Sequence, residues 1–251
     1  MLLLNGMKTH NQNQEKVEKK YNAVVIDMVG TIVPMEYYSK TIDQFIKSNV
    51  GAIAEKTGKT TGEISDMANN GIKAEKGSDL FNNYLKMSEV ATGMSYDANI
   101  PLELYSDVKG TLQELKESGV RVVTYASGSK NISKKGAQSA SIDNYIEEYY
   151  STEVGKKNLP QSFKNIADNI EVPVEKCLYI ADSEAETEAA TLAGFGEVIF
   201  LDRKGKYDKK QVTDKLYRVE NEFSSCLNYV FATEIVPEVE VSTSYNAETN
   251  A

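Results

Sequence analysis

With 251 residues, 28 basic against 37 acidic side chains and a formal net charge of −9, the chain is long enough for one ordinary domain plus a smaller insertion. The acidic balance argues against a nucleic-acid binder or a protein of anionic membrane surfaces, since both need a basic face, and favours small-molecule or protein partners. His10 is the only histidine. That argues against histidine metal centres and Ser-His triads and leaves oxygen donors for any metal, which suits magnesium.

Residues 1–20 are polar and without apolar period, and read as a disordered arm. Met1 to Leu4 is too short for a signal segment or a membrane span, so the cytoplasm is the expected location. Ala23 to Ile26 is an unbroken apolar run, as in a parallel strand covered on both faces, and it ends on a lone carboxylate, Asp27, ahead of a Gly30-Thr31 turn. Residues 35–102 are mostly helical in pattern, with loop signals at Thr57 to Gly62 and Gly93 to Ser95, and read as a helical cap inserted after the first strand.

Beyond the cap, Val108, Leu112 and Leu115 recur at helical spacing and Gly119 supplies the stop. Val120 to Tyr125 is a second strand, closing on Ala126-Ser127-Gly128-Ser129. A connecting region leads to a helix over Ser162 to Ile170, a strand over Cys177 to Ala181 ending at Asp182, an alanine-rich helix over Glu186 to Ala193 and a strand over Val198 to Leu201. Thr233 to Ala251 carries four glutamates and no basic residue, and reads as a disordered acidic tail. Cys177 and Cys226 are the only cysteines, expected to be buried thiols of a reducing compartment.

Strands alternating with helices over short joints predict an α/β fold, a doubly wound parallel sheet built from residues 21–34 and 103–232, with its ligand crevice beyond the carboxyl ends of the strands. Asp27, Ser127 and Asp182 all fall at such ends. A carboxylate there, followed by a tight turn, can attack phosphorus while backbone N–H groups hold the phosphoryl oxygens. A second carboxylate such as Asp182 completes an oxygen site for a divalent ion. Gly155-Lys156-Lys157 is a candidate source of a charge-balancing lysine.

Four segments in order carry a family resemblance: Asp27-Met-Val-Gly-Thr-Ile-Val-Pro34, Tyr125-Ala-Ser-Gly-Ser129, Gly155-Lys-Lys157 with Ser162-Phe163, and Ala181-Asp-Ser-Glu-Ala-Glu-Thr-Glu-Ala-Ala190. Together they resemble the haloacid dehalogenase-like phosphohydrolases, a Rossmann-like core with a helical cap, and within them the enolase-phosphatases (acireductone synthases) of L-methionine salvage. The resemblance implies Asp27 as nucleophile, Lys157 as the site lysine, and Thr31, Ser127, Gly128 and Lys157 as phosphate contacts. It further implies a magnesium ion held by Asp27, the Val29 carbonyl and Asp182.

Two positions depart from the family pattern. Val29 stands where the family has a second acid, which donates a proton to the leaving group; its absence lowers rate by about 10²- to 10⁴-fold. Ala126 replaces the usual hydroxyl after the second strand. The expected function is hydrolysis of a small phosphorylated metabolite through an aspartyl-phosphate, by a monomer or weak homodimer. The alternative is a catalytically impaired relative that binds phosphoesters or magnesium as a regulatory protein.

Overall fold

The computed structural model describes residues 19–207 and 217–231. The acidic tail and all but two residues of the expected N-terminal arm lie outside them. Those two are already pinned, with the Lys20 N–H donating to the Val230 carbonyl at 2.9 Å.

The described residues build a six-stranded sheet in the order β3-β2-β1-β4-β5-β6, every neighbouring pair parallel. The strands are β1 (Ala23–Ile26), β2 (Arg121–Tyr125), β3 (Glu148–Tyr150), β4 (Cys177–Ala181), β5 (Glu197–Leu201) and β6 (Arg218–Glu220). The unbroken apolar run of β1 has a direct cause: alternate residues enter opposite cores. Val24 and Ile26 pack with Leu112, Leu115 and Phe223 on one face, while Ala23 and Val25 pack with Phe163, Ile166 and Ala190 on the other. Helix α5 (Val108–Glu117) thus covers the first face, and α7 (Pro160–Asn169) and α8 (Glu184–Ala193) the second.

From Met35 to Asp97 the chain runs through helices α1 (Met35–Ser48), α2 (Val50–Thr57), α3 (Thr61–Asn70) and α4 (Asp79–Asp97). Ile42, Ile46, Ile53, Ile64 and Met87 bury against one another there as a third apolar cluster, apart from the two that flank the sheet. Thr60 opens α3 with a reciprocal cap: its hydroxyl accepts from the Glu63 N–H while the Glu63 carboxylate accepts from the Thr60 N–H. Tyr37 and Tyr38 are tied into this region, the Tyr38 hydroxyl lying 3.1 Å from that of Thr92.

The region expected to be a mere connection after Ser129 holds helix α6 (Lys130–Ser139) and edge strand β3, and a further edge strand, β6, lies beyond β5. Both cysteines are buried free thiols. Among the described residues no helix is long and apolar enough to cross a membrane.

The sheet order positions the site. The chain passes from β1 outward through β2 to β3, then returns to lay β4 on the other side of β1. The order therefore reverses between β1 and β4, and at such a switch point the connections leave in opposite directions and open a crevice at the strand ends.

Candidate active site

Asp27 follows β1 directly, and its N–H donates to the Ile180 carbonyl at 3.0 Å, so its backbone continues the ladder with β4. Asp182 follows β4. The two acids thus emerge side by side at the point where the strand order reverses. Between them the chain folds into a tight loop in which the Met28 carbonyl accepts from Ile32 and Val33 and the Gly30 N–H donates to Val33 at 2.7 Å.

Gly30 adopts φ +93°, and a Cβ built on it would lie 1.9 Å from Asp182 Oδ2. Only glycine tolerates both that dihedral and that approach. The loop therefore seats the Asp182 carboxylate against its own backbone.

Lys157 arrives from the loop between β3 and α7. Two hydroxyls hold that loop: Tyr125 donates to the Gly155 carbonyl at 2.8 Å, and Ser162 Oγ to the Lys156 carbonyl at 2.8 Å. Gly155 at φ +127° leaves the space that Ser162 Oγ fills. Lys156 faces solvent, whereas Lys157 is buried and its ammonium pairs with Asp27 Oδ1. The same ammonium lies 2.7 Å from Glu186 Oε2, on the first turn of α8.

Asp27 and Glu186 thus share one ammonium, and Asp182 lies near enough to Asp27 to feel its charge, so acidic groups outnumber the basic one in a largely buried site. Burial first, and then the charge of Asp27, push the Asp182 carboxyl up to about 6. Burial and Asp27 likewise raise Glu186, against the opposing pull of Lys157 and of a Tyr179 hydrogen bond. For Lys157 burial acts downward, but Asp27 and Glu186 outweigh it and hold the amine above its usual range. Surplus negative charge on oxygen donors is what a divalent cation relieves.

Among the described residues no three His, Cys, Asp or Glu side chains converge as a ligand cluster. The carboxylates of Asp27 and Asp182, side by side at the strand ends, are oxygen donors of the kind a hard cation takes. A set of two carboxylates suits magnesium, which keeps several waters and takes phosphate oxygens.

The buried Thr31 Oγ1 makes no hydrogen bond, while the Thr31 carbonyl accepts from Arg203 Nη2 at 2.8 Å. Ser127 and Gly128 are exposed on the loop between β2 and α6, just beyond the strand neighbouring β1. At the end of that loop the Ser129 N–H donates to Glu89 of α4 at 3.1 Å.

Two supports of the site escaped the sequence reading. Tyr179 donates to Glu186 Oε2 at 2.8 Å. Arg203 stacks on Tyr105, its guanidinium carbon 4.0 Å from the ring centroid, and pairs with Asp107 at 2.8 Å while holding the Thr31 carbonyl. The only signal for the first was the spacing of Glu186 four residues after Asp182; for the second, the position of Arg203 just past a strand.

Comparison with known proteins bears on the fold and the family. The family of haloacid dehalogenase-like hydrolases matches residues 21–194. The enolase-phosphatase E1 of Aedes aegypti is 34% identical over 131 residues, covering 51% of this chain and 12% of its own length. That of Anopheles gambiae is 30% identical over 131 residues, 51% of this chain and 44% of its own. The chain therefore spans less than half of these insect relatives. The enolase-phosphatase E1 of Aquifex aeolicus is 25% identical over 203 residues, 73% of this chain and 91% of its own. Among solved structures, a haloacid dehalogenase-like phosphatase from Thermococcus onnurineus superposes with TM-score 0.60 at 18% identity, over 82% of this chain and 96% of that one. An L-2-haloacid dehalogenase from Xanthobacter autotrophicus does so with TM-score 0.51 at 16% identity, over 74% and 79%. A switch-point aspartate paired with a buried lysine, on a core that one family spans from the first strand to α8, leads to one assignment: this chain belongs to the haloacid dehalogenase-like hydrolases.

Proposed function

We propose that the protein is a magnesium-dependent phosphohydrolase that cleaves a small phosphorylated metabolite through an aspartyl-phosphate on Asp27. The observation that carries this reading is the buried Asp27–Lys157 pair at the sheet's switch point, with Asp182 pressed against Gly30 beside it. In it, an Asp27 carboxylate oxygen attacks phosphorus in line with the leaving oxygen, and water then cleaves the acyl phosphate to regenerate the carboxylate. Lys157 aims the carboxylate and neutralises phosphoryl charge. The Thr31 hydroxyl, which lacks a protein partner, is a ready donor to a phosphoryl oxygen, with Ser127 and the Gly128 backbone on the facing rim. Asp27, Asp182 and the Val29 carbonyl would hold the ion. Bound there, magnesium supplies positive charge to the phosphoryl oxygens and to the two acids. The four helices from Met35 to Asp97 act as a cap that excludes bulk water.

The sequence matches to enolase-phosphatases support a methionine-salvage ester as the natural substrate class, and the buried free thiols support a cytoplasmic setting. Val29 refines the chemistry. With no carboxylic acid there to protonate a departing alkoxide, turnover depends on the leaving group's own acidity. Acetyl phosphate and p-nitrophenyl phosphate are therefore cleaved faster than a sugar phosphate.

A panel of these three esters with magnesium, run on wild type, Asp27→Asn and Val29→Glu, tests the reading. Wild-type turnover abolished by Asp27→Asn is the expected result. Absence of turnover with every ester, or turnover that survives Asp27→Asn, refutes it.

A further inference from the structure

Lys157 is held from two sides, and only one of them belongs to the chemistry proposed above. Its ammonium lies between Asp27 and Glu186. Glu186 is a flexible side chain on the first turn of α8, partly open to solvent, and has two rotamer-rich bonds by which to swing outward. Besides the ion pair with Lys157 itself, a second contact opposes that motion: the Tyr179 hydroxyl donates to the same Oε2 that meets Lys157, at 2.8 Å.

Tyr179 is itself immobile. It is fully buried on β4, and its ring packs edge-on against Phe163 at 4.8 Å between centroids and against Phe195 at 6.3 Å. Phe163 also packs edge-on against Tyr125 at 5.4 Å, the residue whose hydroxyl holds the Gly155 carbonyl two residues before Lys157. One aromatic cluster under β1 thus anchors both the loop that carries Lys157 and the acid that faces it. Burial raises the Tyr179 phenol well above its usual range, so at neutral pH it is a hydrogen-bond donor.

We infer that Tyr179 is a positioning residue of the site: through Glu186 it fixes the ammonium of Lys157 against Asp27. This rests on the phosphohydrolase reading for its catalytic consequence but not for its geometry. A phenylalanine at the same place would keep the ring packing and lose only the hydroxyl. Glu186 would then be free to leave Lys157, and the ammonium, held by Asp27 alone, would lose its second fixed point.

The test is a double-mutant cycle of Tyr179→Phe and Glu186→Ala with two readouts. The first is hydrolysis of p-nitrophenyl phosphate with magnesium. Tyr179→Phe is expected to lower kcat about tenfold with KM within about twofold, the loss of one hydrogen bond to a charged acceptor. In the Glu186→Ala background the same change should lower kcat less than about twofold. The second readout needs no turnover: acetic anhydride labelling of Lys157, quantified by mass spectrometry against exposed Lys204. Labelling of Lys157 should rise severalfold in Tyr179→Phe and rise no further in the double variant. A wild type that hydrolyses no ester refutes the phosphohydrolase reading, and the labelling alone then decides whether Tyr179 holds Lys157. Unchanged labelling in Tyr179→Phe overturns the inference, as does a kcat loss of full size without Glu186.

Discussion

Replacing Gly30 with alanine separates a cost in stability from a cost in chemistry at one position. The dihedral φ +93° strains any residue with a Cβ by about 1–2 kcal/mol, so the melting temperature should fall by roughly 2–8 °C for a chain of this size. The added carbon would also stand 1.9 Å from Asp182 Oδ2 and 2.4 Å from its Cγ. A carboxylate is the end of a short side chain and can rotate away, so the clash itself adds little to the folding cost. What it changes is position: the oxygen must retreat by roughly 1.5 Å to restore van der Waals contact. A displacement of about 1 Å in a reacting constellation lowers rate by about 10²-fold. Gly30→Ala should therefore lose about two orders of magnitude in kcat/KM on p-nitrophenyl phosphate and need more magnesium for half-maximal rate. Thermal melts with and without magnesium complete the assay, and the stabilisation by the ion seen in wild type should shrink. A variant that melts lower yet keeps its rate and magnesium requirement within about threefold would refute the reasoning, because Asp182 would then have no role that depends on its seat against Gly30.

Lys157→Met should leave Asp27 and Glu186 buried without a counter-charge, and a urea titration should show a loss of about 3–5 kcal/mol, with activity abolished. Arg203→Lys keeps the charge but cannot pair with Asp107, donate to the Thr31 carbonyl and stack on Tyr105 together; about 1–3 kcal/mol of stability should go, with a fall in kcat as the nucleophile loop loosens. A denaturation midpoint equal to wild type would exclude that anchoring. Val29→Glu should raise the rate on a sugar phosphate more than on acetyl phosphate, measured as the ratio of kcat/KM values, because only the poorer leaving group gains from a proton donor. Burial pushes the Cys177 thiol up to about 12 and raises Cys226 as well, so a chromogenic disulfide reagent at neutral pH should find no reactive thiol in the folded protein and two per chain in denaturant.

The central strands and the position of Asp27 were readable from local composition, because a strand buried on both faces must be apolar at every residue and any acid just beyond it is conspicuous. Ala23–Ile26 and Cys177–Ala181 satisfy that rule, and Gly30 marks a turn that no other residue tolerates. Helix α6, Lys130–Ser139, escaped because its apolar stripe is little more than Ile132 and Ala137. The edge strands Glu148–Tyr150 and Arg218–Glu220 are three residues each, too short for a period, and only a parallel neighbour makes them strands. Sequence order likewise cannot show that β4 returns to lie beside β1, and that return brings Asp182 next to Asp27 across 154 intervening positions. The burial of Lys157, its sharing between Asp27 and Glu186, and the Tyr179 hydroxyl behind Glu186 all came from tertiary packing. Charge pairing depends on which side chains are removed from water together, and that is a property of the assembled sheet rather than of any stretch of residues.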